Sequence, residues 1–203
     1  MTRIFLVRHG DTALNSRERF WGCTDVKLSA AGVAQAENLC DRLAKENITA
    51  IYASDLQRAL VTARIITSRH QVEVIICPEL QETNFGKIEG LTFREISQQY
   101  PELTDLWVNW SSRLKFPDGE SVDDLNTRVS KFRDRLKKHA PDNQVLVVAH
   151  AASLRLLICH LLGIDIEHWR QFRLNLASLS IVDTINRQGI LTSLNDVSHL
   201  KEV

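Results

Sequence analysis

Short apolar runs alternate along the chain with helical patterns, and this alternation constrains the fold more than any other feature of the sequence. The runs are residues 4–7, 50–53 and 145–149, which are apolar throughout, and residues 72–76, which are β-branched around one Glu. Such runs are typical of strands buried in a parallel sheet. Residues 178–182 and 190–194 are candidates for later strands towards an edge of that sheet.

Helical patterns fill most of the intervals between these runs, and polar residues or glycine mark their ends. Because helices alternate with strands, the sequence predicts a three-layer α/β/α sandwich with a mostly parallel central sheet. The predicted boundaries are Ser29 as N-cap of a helix from Ala30, Ser54 or Asp55 as N-cap of a second, Ser121 at the start of a third, and a fourth helix over about 152–162 that ends at Gly163.

Residues 84–120 interrupt this regularity with several glycines and prolines. We interpret them as a partly helical insertion that covers the edge of the sheet where the reactive residues described below gather. No repeat, low-complexity tract or shift in composition marks a linker, so residues 1–203 are expected to form a single domain.

Charge and cysteine content restrict the classes of partner. Lys+Arg and Asp+Glu both total 25, so the net charge is zero and nothing favours a nucleic acid or an anionic membrane surface. No apolar run has the roughly 18 residues of a membrane span, and the N-terminal run is too short for a signal peptide. The scattered Cys23, Cys40, Cys77 and Cys159 suit reduced thiols in the cytoplasm better than disulfides or a zinc site.

Reactive side chains follow the ends of four predicted strands. Ligands of open α/β sheets bind beyond the carboxyl ends of the strands, so these side chains are expected to converge. They are Arg8 and His9 after the first run, Ser54, Asp55 and Arg58 after the second, Glu79 and Glu82 after the third, and His150 after the fourth.

This set of residue types fits phosphoryl transfer from a monoester. Arginine binds phosphate oxygens bidentately, and an imidazole nitrogen can carry the phosphoryl group as a covalent intermediate. A carboxylic acid can protonate the leaving alkoxide, and a second imidazole, protonated, can stabilise charge. With these cations in place no metal or other cofactor is needed.

The segment Arg8-His9-Gly10-Asp11-Thr12 resembles the Arg-His-Gly-x-Thr signature of the histidine phosphatase, or phosphoglycerate mutase-like, superfamily. The resemblance covers about residues 3–163, and several segments in order at family spacing make it specific. They include Asn15, Gly22, Ser54-Asp55-Leu56-Gln57-Arg58-Ala59, Leu80-Gln81-Glu82, Gly119-Glu120-Ser121 and Ala149-His150.

The resemblance implies a role for each matching residue. His9 is the expected nucleophile, and Glu82 the general acid and later the base. The expected phosphoryl-binding groups are Arg8, Arg58 and His150, assisted by Asn15 and the backbone N–H of Ala151, while Trp21 and Gly22 border the leaving-group pocket.

Three positions depart from the family pattern. Ala151 replaces a usual glycine, Ile88 a common aromatic residue, and Asp118 a frequent glycine. A backbone N–H survives Gly→Ala unless φ is positive, so the departures bear on substrate preference more than on catalysis.

Local chemistry alone leaves alternatives open for two residues. Arg58 could pair with Asp55 on a helix face. Glu79 and Glu89 lie near Glu82 in sequence, and only the motif spacing singles out Glu82.

The favoured function is hydrolysis of a small phosphomonoester, with no nucleic-acid or membrane partner. Among family branches the chain most resembles α-ribazole-5′-phosphate phosphatases of cobalamin synthesis and broad-specificity phosphatases. A phosphoglycerate mutase is less favoured, because Thr83-Asn84-Phe85-Gly86 replaces the Arg-His-Tyr-Gly segment of such mutases. A non-catalytic binding module is disfavoured because both histidines are present. The oligomeric state stays open.

Overall fold

The computed structural model describes residues 1–14, 18–109, 111, 113–186 and 188–200. Strands and helices alternate along most of these ranges. In chain order they are β1 (Thr2–Arg8), α1 (Ala30–Leu43), β2 (Ile48–Ala53), α2 (Gln57–Thr67), β3 (Val74–Ile76), α3 (Phe93–Gln99), α4 (Pro101–Val108), α5 (Val122–Leu136), β4 (Gln144–Ala149), α6 (Ala151–Leu162), β5 (Leu179–Ile185) and β6 (Gln188–Asp196), with 3₁₀ turns at Pro78–Leu80, Gly86–Ile88 and Ile166–Gln171.

Within the described ranges the strands form one six-stranded sheet in the order β3-β2-β4-β1-β5-β6. The pairs β2–β3, β2–β4 and β1–β4 are parallel, whereas β5 runs antiparallel to both β1 and β6. The predicted mostly parallel sheet is therefore confirmed. Of the later strands, β6 lies at an edge but β5 lies inside the sheet.

Alternate residues of each central strand face opposite layers of helices, as the pleat requires. On β1, Phe5 and Val7 pack in one core with residues of α1 and α2. Ile4 and Leu6 pack in a second core with residues of α5 and α6. These two cores confirm the three-layer arrangement.

Three predicted helix boundaries are confirmed by their hydrogen bonds. Ser29 caps α1 by accepting the N–H of Gly32. Ser121 precedes α5 and forms a capping box with Asp124. Gly163 ends α6 with a φ of 67°, a left-handed conformation that costs glycine little.

The predicted cap of α2 is wrong. Its N-cap is Leu56, which makes no side-chain capping bond. Ser54 instead accepts the N–H of Leu56 and contacts His150, and Asp55 accepts hydrogen bonds from Gln81. Tertiary partners have therefore taken both candidate capping side chains.

The prediction of a buried strand over 72–76 is also wrong. The strand β3 is short and lies at the edge of the sheet that the described residues form, where it pairs with β2. Ile75 and Ile76 are 44% and 49% exposed, so the β-branched composition of residues 72–76 did not correctly predict that the strand is buried.

The segment 84–120 contains α3 and α4 and has an apolar cluster of its own, which includes Ile88, Ile96 and Leu103. Ile88 fills this cluster where an aromatic residue is common. Asp118 has a φ of 55°, which explains why glycine is frequent at this position, since aspartate is among the residues that tolerate the left-handed region.

No helix in the described ranges has both the length and the apolar composition that a membrane crossing requires.

A matched pair of leucines tests the two-core description. Leu156→Ala removes a fully buried side chain of α6 and should lower the free energy of unfolding by about 2–5 kcal/mol. Leu194→Ala, at a side chain 39% exposed on β6, should cost about 1 kcal/mol or less. Urea unfolding of both variants measures the difference, and equal losses would contradict the assignment of Leu156 to the core.

Candidate active site

Two neighbouring parallel strands bring the two histidines together. In the β1–β4 register Arg8 is opposite Ala149, so His9 and His150 leave the sheet side by side. Their ring centroids are 5.0 Å apart with an interplanar angle of 59°. Both residues are buried. The sheet therefore delivers two imidazoles to one place, as the sequence predicted.

The hydrogen bond of His9 fixes its tautomer. Nδ1 lies 2.7 Å from the carbonyl oxygen of Gly10, which can only accept, so Nδ1 carries the proton. Nε2 then has a free lone pair. Burial, followed by the charges of Arg8 and Arg58, holds the pKa of His9 well below 6.5. His9 is therefore a neutral imidazole whose Nε2 can act as a nucleophile.

His150 is also neutral, with the opposite tautomer. Nδ1 accepts from Nε of Arg58 at 3.2 Å, and Nε2–H donates to Oγ of Ser54 at 2.9 Å. Burial and the Arg58 charge hold its pKa well below 6.5. The protonated second imidazole expected from the sequence is therefore not the form of the free site, because burial and then the Arg58 charge disfavour it. A bound dianion would raise this pKa.

Arg58 is buried with 2% exposure and holds the loop after β1. It donates to the carbonyl oxygens of Gly22 and Thr24 at 2.5 and 2.9 Å. Together with the bond to His150, these use three of the five guanidinium N–H groups and leave two for a ligand. Asp55 accepts from Gln81, so the alternative Arg58–Asp55 pair is not formed.

Arg8 lies beside the histidines with part of its donor capacity unused. It donates to the carbonyl oxygen of Leu174 at 2.7 Å, while its buried Nε has no acceptor among the described residues. Burial lowers its pKa to about 10, and the Glu82 carboxylate opposes this shift. Arg8 therefore stays cationic at neutral pH and can bind an anion.

Glu82 is 8% exposed and sits at the N-terminus of α6. Its Oε1 accepts the N–H of Thr83 at 2.9 Å and that of Ala152 at 3.2 Å. Glu79 instead pairs with Arg135, and Glu89 accepts the N–H groups of Cys23 and Thr24. Of these three glutamates, Glu82 alone lines the cavity beside His9.

Ala151 is the first residue of α6, where backbone N–H groups have no acceptor within the helix. It is not among the residues with positive φ, so alanine replaces the usual glycine without strain. Its N–H is available at the same helix end as Glu82, as an anion site requires.

The remaining predicted site residues are Asn15, Trp21 and Gly22. Asn15 lies outside the described residues. Trp21 lines the cavity, and its buried Nε1 has no acceptor among the described residues. At Gly22 a Cβ atom would lie 2.0 Å from the carbonyl oxygen of Thr83, so only glycine fits beside the loop that carries Glu82.

The cavity extends from these groups into the 84–120 segment and has a volume of about 700 Å³. Aromatic rings form much of its wall, and several contact one another edge to face or stacked. They are Phe20, Trp21, Phe85, Phe93, Trp107, Phe116 and Trp169. This aromatic wall is therefore suited to a planar or apolar group.

Two residues of this region and the role of a third were missed from the sequence. Ser54 was expected at this edge of the sheet, but its hydrogen bond from Nε2–H of His150 was not. Arg155 lines the cavity, and the signal was a lone arginine in the apolar segment 151–162. Arg128 contacts the backbone around Glu82, and no local pattern indicated it. Among the described residues, no group of three or more His, Cys, Asp or Glu side chains could hold a metal ion.

Comparison with protein families and curated proteins agrees with this geometry. Residues 4–197 match the model of the histidine phosphatase superfamily, branch 1. The chain is 32% identical over 202 residues to Phosphoserine phosphatase 1 of Hydrogenobacter thermophilus, covering 100% of this chain and 96% of that protein. It is 30% identical over 205 residues to Probable phosphoglycerate mutase GpmB of Yersinia pestis, covering 98% and 95%.

Solved structures show the same fold. A putative alpha-ribazole-5′-P phosphatase from Escherichia coli K-12 superposes with a TM-score of 0.89 and 33% identity, covering 96% of each chain. Phosphoserine phosphatase from Entamoeba histolytica in complex with 3-phosphoglyceric acid superposes with a TM-score of 0.86 and 28% identity, covering 99% of this chain and 100% of that one.

The buried neutral histidines predict how stability depends on pH. Below about pH 6.5 the unfolded chain binds protons that folded His9 and His150 do not, so stability falls as pH falls. Each of these two histidines contributes up to about 1.4 kcal/mol per pH unit to the slope of the unfolding free energy against pH. Urea unfolding between about pH 6.5 and 5 measures this dependence. As pH falls, the free energy of unfolding of His9→Asn should decrease less steeply than that of wild type, by roughly 1 kcal/mol per pH unit.

The control for this measurement is His168→Asn, because His168 is exposed. It should keep the wild-type slope. If His9→Asn and wild type had the same slope, His9 would not be held neutral by the fold.

Proposed function

Since the chain belongs to the histidine phosphatase superfamily, branch 1, we propose that it hydrolyses small-metabolite phosphomonoesters through a phosphohistidine on His9. One observation carries the proposal. The unprotonated Nε2 of His9 lies among Arg8, Arg58 and the N-terminus of α6, so a nucleophile and the groups that bind a phosphoryl dianion share one cavity.

In the first step the phosphoryl oxygens bind to the unused N–H groups of Arg8 and Arg58 and to the N–H of Ala151. Nε2 of His9 attacks phosphorus, the N–P bond forms and the ester P–O bond breaks. Glu82 gives its proton to the leaving oxygen, so the alcohol departs neutral. We assign Asn15 an assisting contact to the phosphoryl group.

In the second step the Glu82 carboxylate takes a proton from water. The water oxygen attacks phosphorus as the N–P bond breaks, which restores Nε2 of His9 and the acid form of Glu82. Inorganic phosphate then leaves. In the free site Nδ1 of His150 accepts from Nε of Arg58. A phosphoryl dianion close to the ring favours the protonated form, in which Nδ1 no longer accepts and Nε of Arg58 is released to the anion.

For the substrate we propose α-ribazole 5′-phosphate, in which a planar base is attached to ribose 5-phosphate, so that the leaving group is α-ribazole. The aromatic wall of the cavity supports a planar base, and so does the similarity to alpha-ribazole phosphatases. A place in cobalamin biosynthesis in the cytoplasm follows from this choice, and the free cysteines are compatible with it.

Phosphoserine is a second candidate, because the similarity to Phosphoserine phosphatase 1 extends over the whole chain. A phosphoglycerate mutase is less well supported. Thr83 and Asn84 stand where such mutases carry an arginine and a histidine, and Asn84 uses its Oδ1 to accept the N–H of Gly86. A purely binding module is disfavoured because His9 and His150 are in contact.

We further propose that residues 1–203 are one domain, with 84–120 as the insertion that covers the active-site edge. The rings of Phe85, Trp107 and Phe116 in the cavity wall support this role for the insertion. We propose no nucleic-acid or membrane partner, in line with the zero net charge.

The phosphohistidine is tested by His9→Ala. This change removes the nucleophile and should lower phosphate release by on the order of 10⁴-fold or more. Wild type quenched during turnover of ³²P-labelled substrate should carry an acid-labile label that His9→Ala lacks. Substantial residual turnover, or a label that persists in the variant, would remove His9 from this role; His168→Ala is the matched control.

The leaving-group assignment is tested with two substrates that differ only in the base. Wild type should hydrolyse α-ribazole 5′-phosphate with a kcat/KM at least roughly tenfold above that for ribose 5-phosphate. Phe93→Ala trims a 43% exposed ring at the cavity wall and should reduce this preference while leaving ribose 5-phosphate hydrolysis unchanged. A wild-type enzyme without the preference contradicts this leaving group, and a phosphoserine assay then decides the second candidate.

A further inference from the structure

The backbone around Glu82 is held by one arginine from α5. Arg128 donates to the carbonyl oxygens of Glu79, Gln81 and Glu82 at 3.0, 2.6 and 2.9 Å. An arginine that contacts three carbonyls of one short segment fixes that segment in both position and orientation.

The other edge of the same guanidinium pairs with Glu120 at the end of the 84–120 segment. Nε and one terminal nitrogen of Arg128 donate to the two carboxylate oxygens at 2.8 and 2.9 Å. The side chains are 18% and 21% exposed, so the bidentate pair is largely shielded from water. Arg128 therefore has acceptors for all five of its donors.

Glu120 in turn binds the backbone that follows Glu82 in the chain. Its Oε2 accepts the N–H of Asn84 at 2.9 Å, and its own N–H donates to the carbonyl oxygen of Asn84 at 2.9 Å. The segment that carries Glu82 is thus fixed before and after the carboxylate, and both ends of the insertion meet there.

We infer that Arg128, paired with Glu120, is a positioning residue for the proton donor Glu82, an inference that rests on the proposed function. Arg128 is not among the residues that line the cavity, so it acts through the backbone of Glu82 and not on the substrate. The side chain of Glu82 is oriented from α6 through the N–H of Ala152, whereas its backbone is held from α5. Two helices of one layer therefore define where the proton is delivered.

The test uses the dependence of kcat/KM on the leaving group. It uses kcat/KM because this ratio reflects only the steps up to and including the first P–O cleavage. An alkyl leaving group such as that of ribose 5-phosphate needs the proton, whereas p-nitrophenolate leaves without it. Arg128→Met should lower kcat/KM for ribose 5-phosphate by roughly 10²-fold and that for p-nitrophenyl phosphate by less than about threefold.

Two further variants show whether the loss acts through Glu82. Glu82→Gln alone should reproduce the selective loss, and adding Arg128→Met to it should cost less than about another threefold, because residues that act as a unit are not additive. Arg135→Met is the matched control, an arginine of the same helix that pairs with Glu79 at a more exposed position. It should leave both substrates at wild-type values.

Equal losses of kcat/KM on the two substrates would overturn the positioning role. So would a double variant whose loss is the product of the Arg128→Met and Glu82→Gln losses. Either result would leave the phosphatase proposal standing. Hydrolysis of neither ester by wild type would overturn both. If Arg128→Met does not fold, as judged by circular dichroism, Glu120→Gln replaces it. A glutamine cannot accept both Arg128 donors and the Asn84 N–H, so the same selective loss is expected, roughly tenfold in size.

Discussion

The parallel pairing of β1 with β4 is the interaction on which the rest of the site depends. The β1–β4 ladder continues past the strand ends, since the N–H of His9 donates to the carbonyl oxygen of Ala149. The neighbouring β2–β4 ladder continues in the same way, through the N–H of Ser54 and the carbonyl oxygen of Val148. Backbone bonds therefore place the nucleophile and the partner of His150 before any side chain contributes. A one-residue slip in this register would turn His9 to the opposite face of the sheet.

Burying two guanidinium groups beside two imidazoles is costly, and backbone carbonyls offset the cost. Arg58 binds the loop after β1 through Gly22 and Thr24, and Arg8 binds the segment before β5 through Leu174. Each arginine thus stabilises the loop that closes the site while keeping donors for an anion. Assembly of the site therefore also orders these loops. The loop after β1 comes so close to the carbonyl oxygen of Thr83 that Gly22 has no room for a side chain.

Residues next to strand ends could be predicted from the sequence, because periodicity locates the strands and the parallel sheet gathers their ends. This holds for His9 and His150, and the motif spacing selected Glu82 over Glu79 and Glu89. Contacts between distant segments could not be predicted. The bonds of Arg128 to the Glu82 segment join residues 46 apart in the chain, and the loss of Ser54 as a helix cap depends on a histidine 96 residues away. The edge position of β3 likewise depends on strand order, which composition does not encode.

The hydrogen bonds of the two imidazoles also decide where the positive charge of the site resides. Gly10 can only accept and Arg58 can only donate, so the tautomers of His9 and His150 are set by partners that do not titrate near neutral pH. The positive charge that faces the cavity therefore comes from guanidinium groups. Since even the lowered pKa of Arg8 is about 10, this charge persists at neutral pH, where the imidazoles are neutral. Nucleophile and anion-binding groups are thus competent over the same pH range, which an imidazolium in place of either arginine would not allow.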